Sequence, residues 1–343
     1  MYRLLRPLIH RIDAETAHRG TIGALKMLPP RRPPDFPQML AIDVAGLSFP
    51  SPVGLAAGFD KDAEIADAML GLGFGFVEVG TMTPVAQPGN PKPRLFRLAE
   101  DQAVINRMGF NNAGFAPALQ RLRKRQRSGI VGVNIGANKD SVDRIADYAS
   151  GVTAMSGVAD YLAVNISSPN TPGLRGLQDE GALGELLSAV RNARLPGGPP
   201  VFLKVAPDLD AEDPQRIVRA AIDHRIDGLI VANTTLSRPA LRSRFAGEAG
   251  GLSGAPLKPL ALEALRAFRA ASGGAIPLIA VGGIASADDA WARIRAGASL
   301  VQLYTALVYE GPGLARRVAN GLADCLCRSE MASLAEAVGS EDD

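Results

Sequence analysis

The sequence predicts an α/β protein, a (β/α)8 TIM barrel with an N-terminal helical extension. Three observations predict this fold. Eight short apolar runs recur along the chain, longer stretches of helical periodicity separate them, and the eight units fit within about 270 residues, a usual size for this barrel. Most of the runs are almost continuously hydrophobic, as parallel strands are when both faces of a sheet are covered. A doubly wound sheet is the main alternative, but it does not need eight similar strands.

The predicted strands follow a proline-rich segment. They are Val53–Ala57, Phe76–Val79, Ile130–Ile135, Tyr161–Ile166, Val201–Val205, Gly228–Ala232, Leu278–Val281 and Leu300–Leu303. Helical stretches between them include Ala63–Leu72, Leu183–Ala193, Asp213–His224, Leu260–Ala271 and Ala287–Ala296. In a barrel of this kind the active site forms where the strands end, so the residues after each run are the candidates for chemistry.

Two segments flank the predicted barrel. The extension, residues 1–37, holds a short helix at Tyr2–Ile9 that Pro7 interrupts and a second helix that Asp13 caps and that runs to about Leu28. Five prolines among residues 29–37 predict a stiff, extended linker, because proline fixes φ and disfavours helix in the residue before it. The barrel is expected over residues 38–328, and residues 329–343, with five acids and no base, are expected to form a solvated acidic tail.

Composition excludes several classes of protein. Hydrophobic residues make up 47% of the chain, so it can bury a large core and is not natively disordered. The net charge is only +2, which excludes a global basic field for nucleic acid, although residues 1–40 alone carry +4 (seven bases against three acids). Two cysteines, Cys325 and Cys327, argue against a disulfide framework, and the scattered histidines predict no metal site.

Polar residues or glycines follow nearly every predicted strand. They are Ala57-Gly-Phe-Asp-Lys61, Gly80-Thr81, Asn134, Asn165, Lys204, Asn233-Thr234, Gly282-Gly283 and Tyr304-Thr305. Asparagine and glycine also begin ordinary turns, which would explain one such edge but not eight. A ring of buried polar groups needs a polar ligand, because an unpaired buried group costs roughly 1–3 kcal/mol. The last two edges are where these barrels commonly bind phosphate, so a phosphorylated ligand is expected across the mouth.

Three further features describe the expected ligand and chemistry. Loops 106–112, 165–172 and 232–235 are rich in asparagine, which suits a flat heterocycle with amide and carboxylate edges. No histidine or carboxylate accompanies them, so a proton would be taken by a hydroxyl, Ser167 or Ser168. Lys204 would balance a buried negative charge or form a Schiff base, and spacing alone does not distinguish these.

The motifs together resemble one family, dihydroorotate dehydrogenase, and within it the membrane-associated, quinone-dependent class 2. The resemblance covers about Asp13 to Gly313. It is carried by GLAAGFDKD (54–62), PRLFRL (93–98), INRMGFNN (105–112), NISSPNTPGLR (165–175), NTTL (233–236), GGLSG (250–254) and GGI (282–284). The soluble class 1 relatives have cysteine as the base, so the serine at position 168 points to class 2, as does the helical extension.

The resemblance implies an FMN enzyme that oxidises (S)-dihydroorotate to orotate in pyrimidine biosynthesis, with one FMN per chain and a quinone as second substrate. The implied FMN contacts are Ala57, Gly58, Phe59, Asp60, Lys61, Thr81, Asn134, Asn165, Lys204, Ala232, Gly254, Gly283, Tyr304 and Thr305. The implied substrate contacts are Lys61, Asn106, Arg107, Met108, Gly109, Phe110, Asn165, Asn170, Asn233 and Thr234. Ala232 and Thr305 stand where the family commonly has threonine and serine, which bears on FMN affinity rather than on function.

The catalytic and membrane roles are implied in the same way. Ser168 would remove the C5 proton while hydride leaves C6 for flavin N5, and Thr171 and Phe110 would define the proton relay. His18 and Arg97 would lie along the quinone route, with Leu4, Leu5, Leu8 and Ile9 dipping into the lipid interface. The expected partners are dihydroorotate and orotate, ubiquinone or menaquinone, and an anionic membrane surface, without nucleic acid or an obligatory protein partner.

The localisation that follows is a peripheral membrane protein, on the cytoplasmic face of the cell membrane if the source is bacterial. Two alternatives stay open at this point. One is the same flavin barrel using fumarate, or NAD through a partner subunit. The other is a membrane adaptor without enzymatic activity.

Overall fold

The computed structural model describes residues 2–29, 31–171 and 173–341. The helices are α1 (Tyr2–Ile9), α2 (Ala14–Met27), α3 (Ala66–Gly71), α4 (Phe115–Arg123), α5 (Arg144–Met155), α6 (Glu180–Ala193), α7 (Asp213–Asp223), α8 (Lys258–Ser272), α9 (Ala287–Arg295), α10 (Thr305–Glu310), α11 (Leu314–Arg328) and α12 (Leu334–Ala337). The strands are β1 (Ile42–Val44), β2 (Leu47–Phe49), β3 (Val53–Leu55), β4 (Phe76–Met82), β5 (Leu95–Leu98), β6 (Ala103–Asn106), β7 (Ile130–Ile135), β8 (Tyr161–Asn165), β9 (Val201–Val205), β10 (Gly228–Val231), β11 (Gly251–Gly254), β12 (Leu278–Val281) and β13 (Ala298–Leu303).

Eight parallel strands close into a barrel in the order β3-β4-β7-β8-β9-β10-β12-β13, and β13 pairs with β3 to complete the ring. Each strand is followed by at least one helix, so the predicted (β/α)8 TIM barrel is confirmed. The bounds of β7, β9 and β12 coincide with the predicted runs. The prediction succeeds here because the barrel strands are buried on both faces, which makes the runs largely apolar.

Aromatic side chains close the lower end of the barrel. Phe76, Tyr161 and Phe202 point into the interior, and the β1–β2 hairpin adds Phe49, whose ring lies 5.1 Å from that of Phe76. Gly132 makes room for this layer, because a Cβ there would lie 2.0 Å from the Tyr161 ring. The ligand-binding end is therefore the opposite one, where the strands end.

A second sheet, which the sequence did not predict, lies beside the barrel mouth. Strands β5, β6 and β11 form an antiparallel sheet with β6 in the middle. Its register places Asn106 opposite Gly251 and Ala103 opposite Gly254. Two segments that are distant in the chain, 106–112 and 250–254, are thereby brought to the same side of the mouth.

The N-terminal extension forms the two expected helices. Asp13 caps α2 by accepting the Thr16 N–H at 2.8 Å, and Pro7 lies within α1 rather than ending it. Helix α2 is fixed to the sheet by a bidentate ion pair between Glu15 and Arg94, with N–O distances of 2.8 and 3.0 Å. Pro30, within the predicted linker, lies outside the described residues.

The expectation of a solvated C-terminal tail is wrong for residues 329–341. Leu334 and Ala337 are fully buried in the main core, and Glu341 pairs with Arg266. The acids lie on the outer face of a segment whose apolar residues pack inward, a pattern that net charge alone does not reveal. Asp342 and Asp343 lie outside the described residues.

Candidate functional site

One cavity of about 550 Å³ joins the barrel mouth to the N-terminal helices. Its inner end is lined by the residues that follow the barrel strands, and its outer end by α1 and α2. Twelve of the fourteen residues predicted to hold the cofactor line it: Ala57, Gly58, Phe59, Lys61, Thr81, Asn165, Lys204, Ala232, Gly254, Gly283, Tyr304 and Thr305. A single ligand space therefore runs from the barrel interior to the helical extension.

A chain of buried hydrogen bonds forms the floor of the cavity. The Thr81 hydroxyl donates to Asn134 Oδ1 at 2.6 Å, and Asn165 Nδ2 donates to Thr81 Oγ1 at 3.0 Å. Asn233 Nδ2 continues the chain to Ser167 Oγ at 2.9 Å. Asn134 itself lies one layer deeper and does not line the cavity, so it acts through Thr81 and Asn165. These fixed amides present donors and acceptors to a planar polar ligand.

Lys204 is held in the floor by a carboxylate that sequence reasoning missed. Its ammonium lies 3.4 Å from Glu78 Oε1, and both side chains are almost completely buried. Tyr161 and Gln302 also donate to Glu78. The sequence alone could have pointed to Glu78, because it is the one charged residue within the apolar run 76–79.

At the predicted phosphate site, segments of the main chain pack closely against one another. Gly283 has a φ of +72°, and a Cβ there would lie 2.5 Å from Lys258 Cα. Gly254 has a φ of +98°, and a Cβ would lie 2.4 Å from Gln102 O. Thr305 donates to Ser253 Oγ at 2.8 Å and is the first residue of α10, where backbone N–H groups have no partner within the helix. Only glycine fits at the first two positions, because φ is positive at both and a Cβ would overlap neighbouring backbone.

The predicted substrate residues surround the middle of the cavity. Those lining it are Lys61, Asn106, Met108, Gly109, Phe110, Asn165, Asn170, Asn233 and Thr234. Asn170 Nδ2 donates to Asn106 Oδ1 at 3.2 Å, and Asn90, which was not predicted, donates to the carbonyls of both Arg107 and Asn170. These bonds hold loops 106–112 and 165–171 together.

Three predicted site residues face elsewhere. The Asp60 carboxylate accepts the N–H groups of Glu64 and Ile65, and burial raises its pKa to about 6. Arg107 pairs with Glu248 at 2.8 Å outside the cavity. Thr171 is buried but does not line the cavity, and its hydroxyl has no hydrogen-bond partner among the described residues. Pro172, in the same loop, lies outside the described residues.

Ser168 lies in the cavity wall within a loop that Arg175 holds in place. The Ser168 hydroxyl is buried and accepts the Asn170 N–H at 3.3 Å. Arg175 donates to the carbonyls of Ser167 and Thr234 and pairs with Asp208 at 2.9 Å. Its place in the motif NISSPNTPGLR was visible, but its role as a clamp between two loops depends on a contact with a residue 33 positions away.

The outer end of the cavity contains a cluster of three aromatic rings. The ring of Phe59 lies 5.1 Å from His18 and 5.4 Å from Tyr304, each edge to face, and His18 Nδ1 lies 3.5 Å from the Tyr304 hydroxyl. Burial, with Lys61 nearby, lowers the pKa of His18 to about 3, so the imidazole is neutral at physiological pH. Arg97 also lines this end and donates to the carbonyls of Ile9 and Ile12.

Burial also acts on the lysine between the two ends of the cavity. Lys61 donates to the Gly58 carbonyl at 2.9 Å, and desolvation lowers its pKa to about 8. An ammonium with a reduced pKa, facing a cavity, is suited to bind an anion, because the anion replaces the water that burial removed.

Known proteins resemble this chain over nearly its whole length. The sequence model of the family described as dihydroorotate dehydrogenase matches residues 39–326. Proteins named dihydroorotate dehydrogenase (quinone) from Erythrobacter litoralis and Novosphingobium aromaticivorans are each 63% identical, covering 99% of this chain and 100% and 99% of theirs. Two crystal structures of the Eimeria tenella enzyme, one ligand-free and one with ferulenol, each superpose with a TM-score of 0.92 at 42% identity over 96% of this chain and 100% and 96% of theirs.

Proposed function

The chain belongs to the dihydroorotate dehydrogenase family, and from this premise we infer that it is a quinone-dependent oxidoreductase that converts dihydroorotate to orotate in pyrimidine biosynthesis. One observation carries this inference: full-length relatives with the quinone-dependent activity in their names share nearly two thirds of its residues. The cavity supports it, because one space connects a polar barrel floor to an aromatic outer end.

The donor set of the cavity fits FMN. Gly254 and Gly283 line the cavity and would offer main-chain N–H groups to a phosphate, and Lys204 with Asn165 would face the polar edge of a flavin ring. Thr305 would add its backbone N–H at the phosphate. The substitution at Ala232 keeps a buried backbone at the cavity wall, so a main-chain contact survives there. When bound, FMN would accept two electrons as a hydride.

The substrate would lie against the asparagine cluster, with Lys61 near its carboxylate. Asn106, Asn170 and Asn233 would bind its amide edges, because each amide offers a donor and an acceptor. Ser168 Oγ would take the C5 proton as hydride leaves C6, and the C5–C6 double bond of orotate forms. A neutral hydroxyl is a weak base, so the proton must leave it. The buried Thr171 hydroxyl in the same loop, which has no hydrogen-bond partner among the described residues, would receive it.

The outer end of the cavity would admit the quinone. His18, Phe59 and Tyr304 form a wall without charge, which suits an uncharged aromatic ring. Arg97 would mark the entrance, fixed by carbonyls at the end of α1 and in the turn that follows it. Apolar side chains also line the entrance, among them Ala14, Ala17, Leu25 and Leu28.

The entrance would open onto a lipid surface. Leu4 and Met27 are 84% and 86% exposed, and Leu5, Leu8, Ile12 and Leu28 are exposed with them. None of the helices within the described ranges is long and apolar enough to cross a membrane. The exposed leucines and nearby arginines therefore favour peripheral binding, at the cytoplasmic face in a bacterial cell.

The proposal is tested by the absorbance spectrum of the purified protein before and after dihydroorotate is added without oxygen. The wild type is expected to carry FMN and to lose its flavin colour. Ser168→Ala should retain FMN but reduce it more slowly by a factor of roughly 100 to 10,000, the usual contribution of a general base. A colourless protein that binds no FMN would refute the cofactor, and normal reduction by Ser168→Ala across the pH range would refute the base.

A further inference from the structure

The barrel interior contains a buried ion pair, and the proposed site gives a role to only one of its members, Lys204. Glu78 on β4 and Lys204 on β9 lie 3.4 Å apart, with side chains 0% and 5% exposed. The interior of such a barrel is ordinarily filled with branched apolar residues. A buried ion pair contributes little to stability, because desolvation of the two charges offsets their attraction. The pair therefore needs a reason other than stability.

Among the described residues, every side chain that forms a hydrogen bond with Glu78 is a donor. Gln302 Nε2 and Asn134 Nδ2 donate at 2.7 and 2.8 Å, and the Tyr161 hydroxyl donates at 3.1 Å. Lys204 Nζ completes the set. Four donors around two oxygens match the acceptor capacity of an ionised carboxylate. The pocket is thus built to hold a negative charge.

One side of this hydrogen-bond network faces the cavity. Lys204 and Gln302 line the cavity, whereas Glu78 and Tyr161 lie beneath it, and Tyr161 belongs to the aromatic layer that closes the barrel. The Lys204 ammonium is therefore held from below by an anion and faces the cofactor space from above. A ligand in the cavity therefore contacts an ammonium whose positive charge is largely balanced by the adjacent Glu78 carboxylate.

We propose that Glu78 is a positioning residue that fixes the Lys204 ammonium and compensates its charge, and thereby sets the reduction potential of the bound flavin. The inference rests on the proposed FMN site. Two-electron reduction adds negative charge to the flavin ring, and nearby protein charges tune that change. An uncompensated Lys204 would stabilise the reduced form, so Glu78 holds the potential lower than Lys204 alone would set it.

The test is the midpoint potential of the FMN-loaded, full-length Glu78→Gln protein, measured by equilibration with a reference dye. The variant side chain keeps its size, and its new N–H group can donate to Gln302 Oε1, which is buried without a partner among the described residues. The potential is expected to rise, changing the ratio of oxidised to reduced flavin at least tenfold at a fixed potential, about 30 mV for a two-electron couple. An unchanged or lower potential would overturn the proposal.

Two further variants separate charge from packing. Lys204→Met should lower the potential, because it leaves the Glu78 carboxylate without its cation. Glu78→Gln combined with Lys204→Met should bring the potential back toward the wild-type value, because neither the wild type nor the double variant has an unpaired charge at these two positions. If Glu78→Gln does not fold, these two carry the test: equal potentials in both would overturn the proposal. Tyr161→Phe, which removes a donor without changing charge, should shift the potential by less than half as much as Glu78→Gln.

Flavin content keeps the two proposals distinguishable. Wild-type protein that binds no FMN would refute the cofactor assignment itself. Wild-type protein that binds FMN, with Glu78 variants that share its potential, would refute only the role of Glu78. A Glu78→Gln protein that folds yet holds no FMN would also count against this role, because the proposal gives Glu78 no large share in binding the cofactor.

Discussion

The floor of the cavity, inside the barrel, and the N-terminal helices differ in which side chains are buried and which are exposed. In the floor, polar side chains are buried and paired: Asn165 donates to Asn134, and Lys204 pairs with Glu78. In the helices, apolar side chains such as Leu4 and Met27 are exposed. The floor is organised before any ligand arrives, which suits a tightly held cofactor, whereas the helices offer an adaptable surface to a lipophilic acceptor.

Helix α2 shows the same difference between buried and exposed groups in the ion pairs that hold it to the rest of the protein. Glu15 and Arg94 form a bidentate pair with side chains 12% and 7% exposed. Lys26 pairs with Glu64 at 2.8 Å, but half of the Lys26 side chain is exposed and Arg19 also pairs with Glu64. The buried pair should therefore fix the helix to the barrel, and the exposed pair should contribute little.

The largest expected effect is on the docking of α2. Glu15→Gln should weaken docking by about 3 kcal/mol, the low end of the range for a broken buried pair, because it leaves the Arg94 charge without its carboxylate. Cleavage by a dilute protease at the proline-rich linker should then speed up on the order of 100-fold, since the rate follows the population of the opened state.

Lys26→Gln is the matched control, because it also removes one charge from α2. It should change the cleavage rate by less than about fivefold, corresponding to under 1 kcal/mol for an exposed pair. Equal rates in Glu15→Gln and Lys26→Gln would show that burial does not distinguish the two attachments.

The contrast also explains what the sequence could predict. The eight barrel strands were found because each is largely apolar, and the mouth residues were found because they follow those strands. Glu78 was missed for the same reason, since an apolar run was interpreted as core despite its one charge. The Glu15–Arg94 pair, 79 positions apart, leaves no local pattern. The β5-β6-β11 sheet is also assembled from segments distant in the chain.

The next largest effect is on the affinity for orotate at Lys61, which lies between the two regions. Burial lowers the pKa of Lys61 to about 8, so its ammonium is present below that pH and is lost above it. Affinity for orotate should fall as pH rises through 8, by up to tenfold per pH unit for one linked proton. Titration of the flavin absorbance with orotate measures this.

Lys61→Arg provides the control, because a guanidinium stays charged to above pH 12. Where the variant binds orotate, its affinity should not decline between pH 8 and 10. A wild-type affinity that is constant over the same range would contradict the role of Lys61.

The smallest effect is on membrane attachment. Exposed arginines of the extension, such as Arg11 and Arg32, should each contribute about 1 kcal/mol to binding of an anionic surface. Binding to vesicles that contain phosphatidylglycerol should weaken as salt rises from about 0.1 to 1 M, where the Debye length falls from roughly 10 to 3 Å. Arg11→Gln with Arg32→Gln should weaken it at low salt only, and salt-independent binding would show that the leucines act alone.

The central claim is that the two half-reactions belong to the two regions. Stopped-flow absorbance of the full-length protein measures both: reduction of the flavin by dihydroorotate, then its reoxidation by a short-chain ubiquinone analogue. Ser168→Ala should slow only reduction, and His18→Ala should slow only reoxidation, by at least about tenfold, or 1.4 kcal/mol in the barrier. If both variants slowed both steps equally, the division of labour between barrel floor and N-terminal helices would be contradicted.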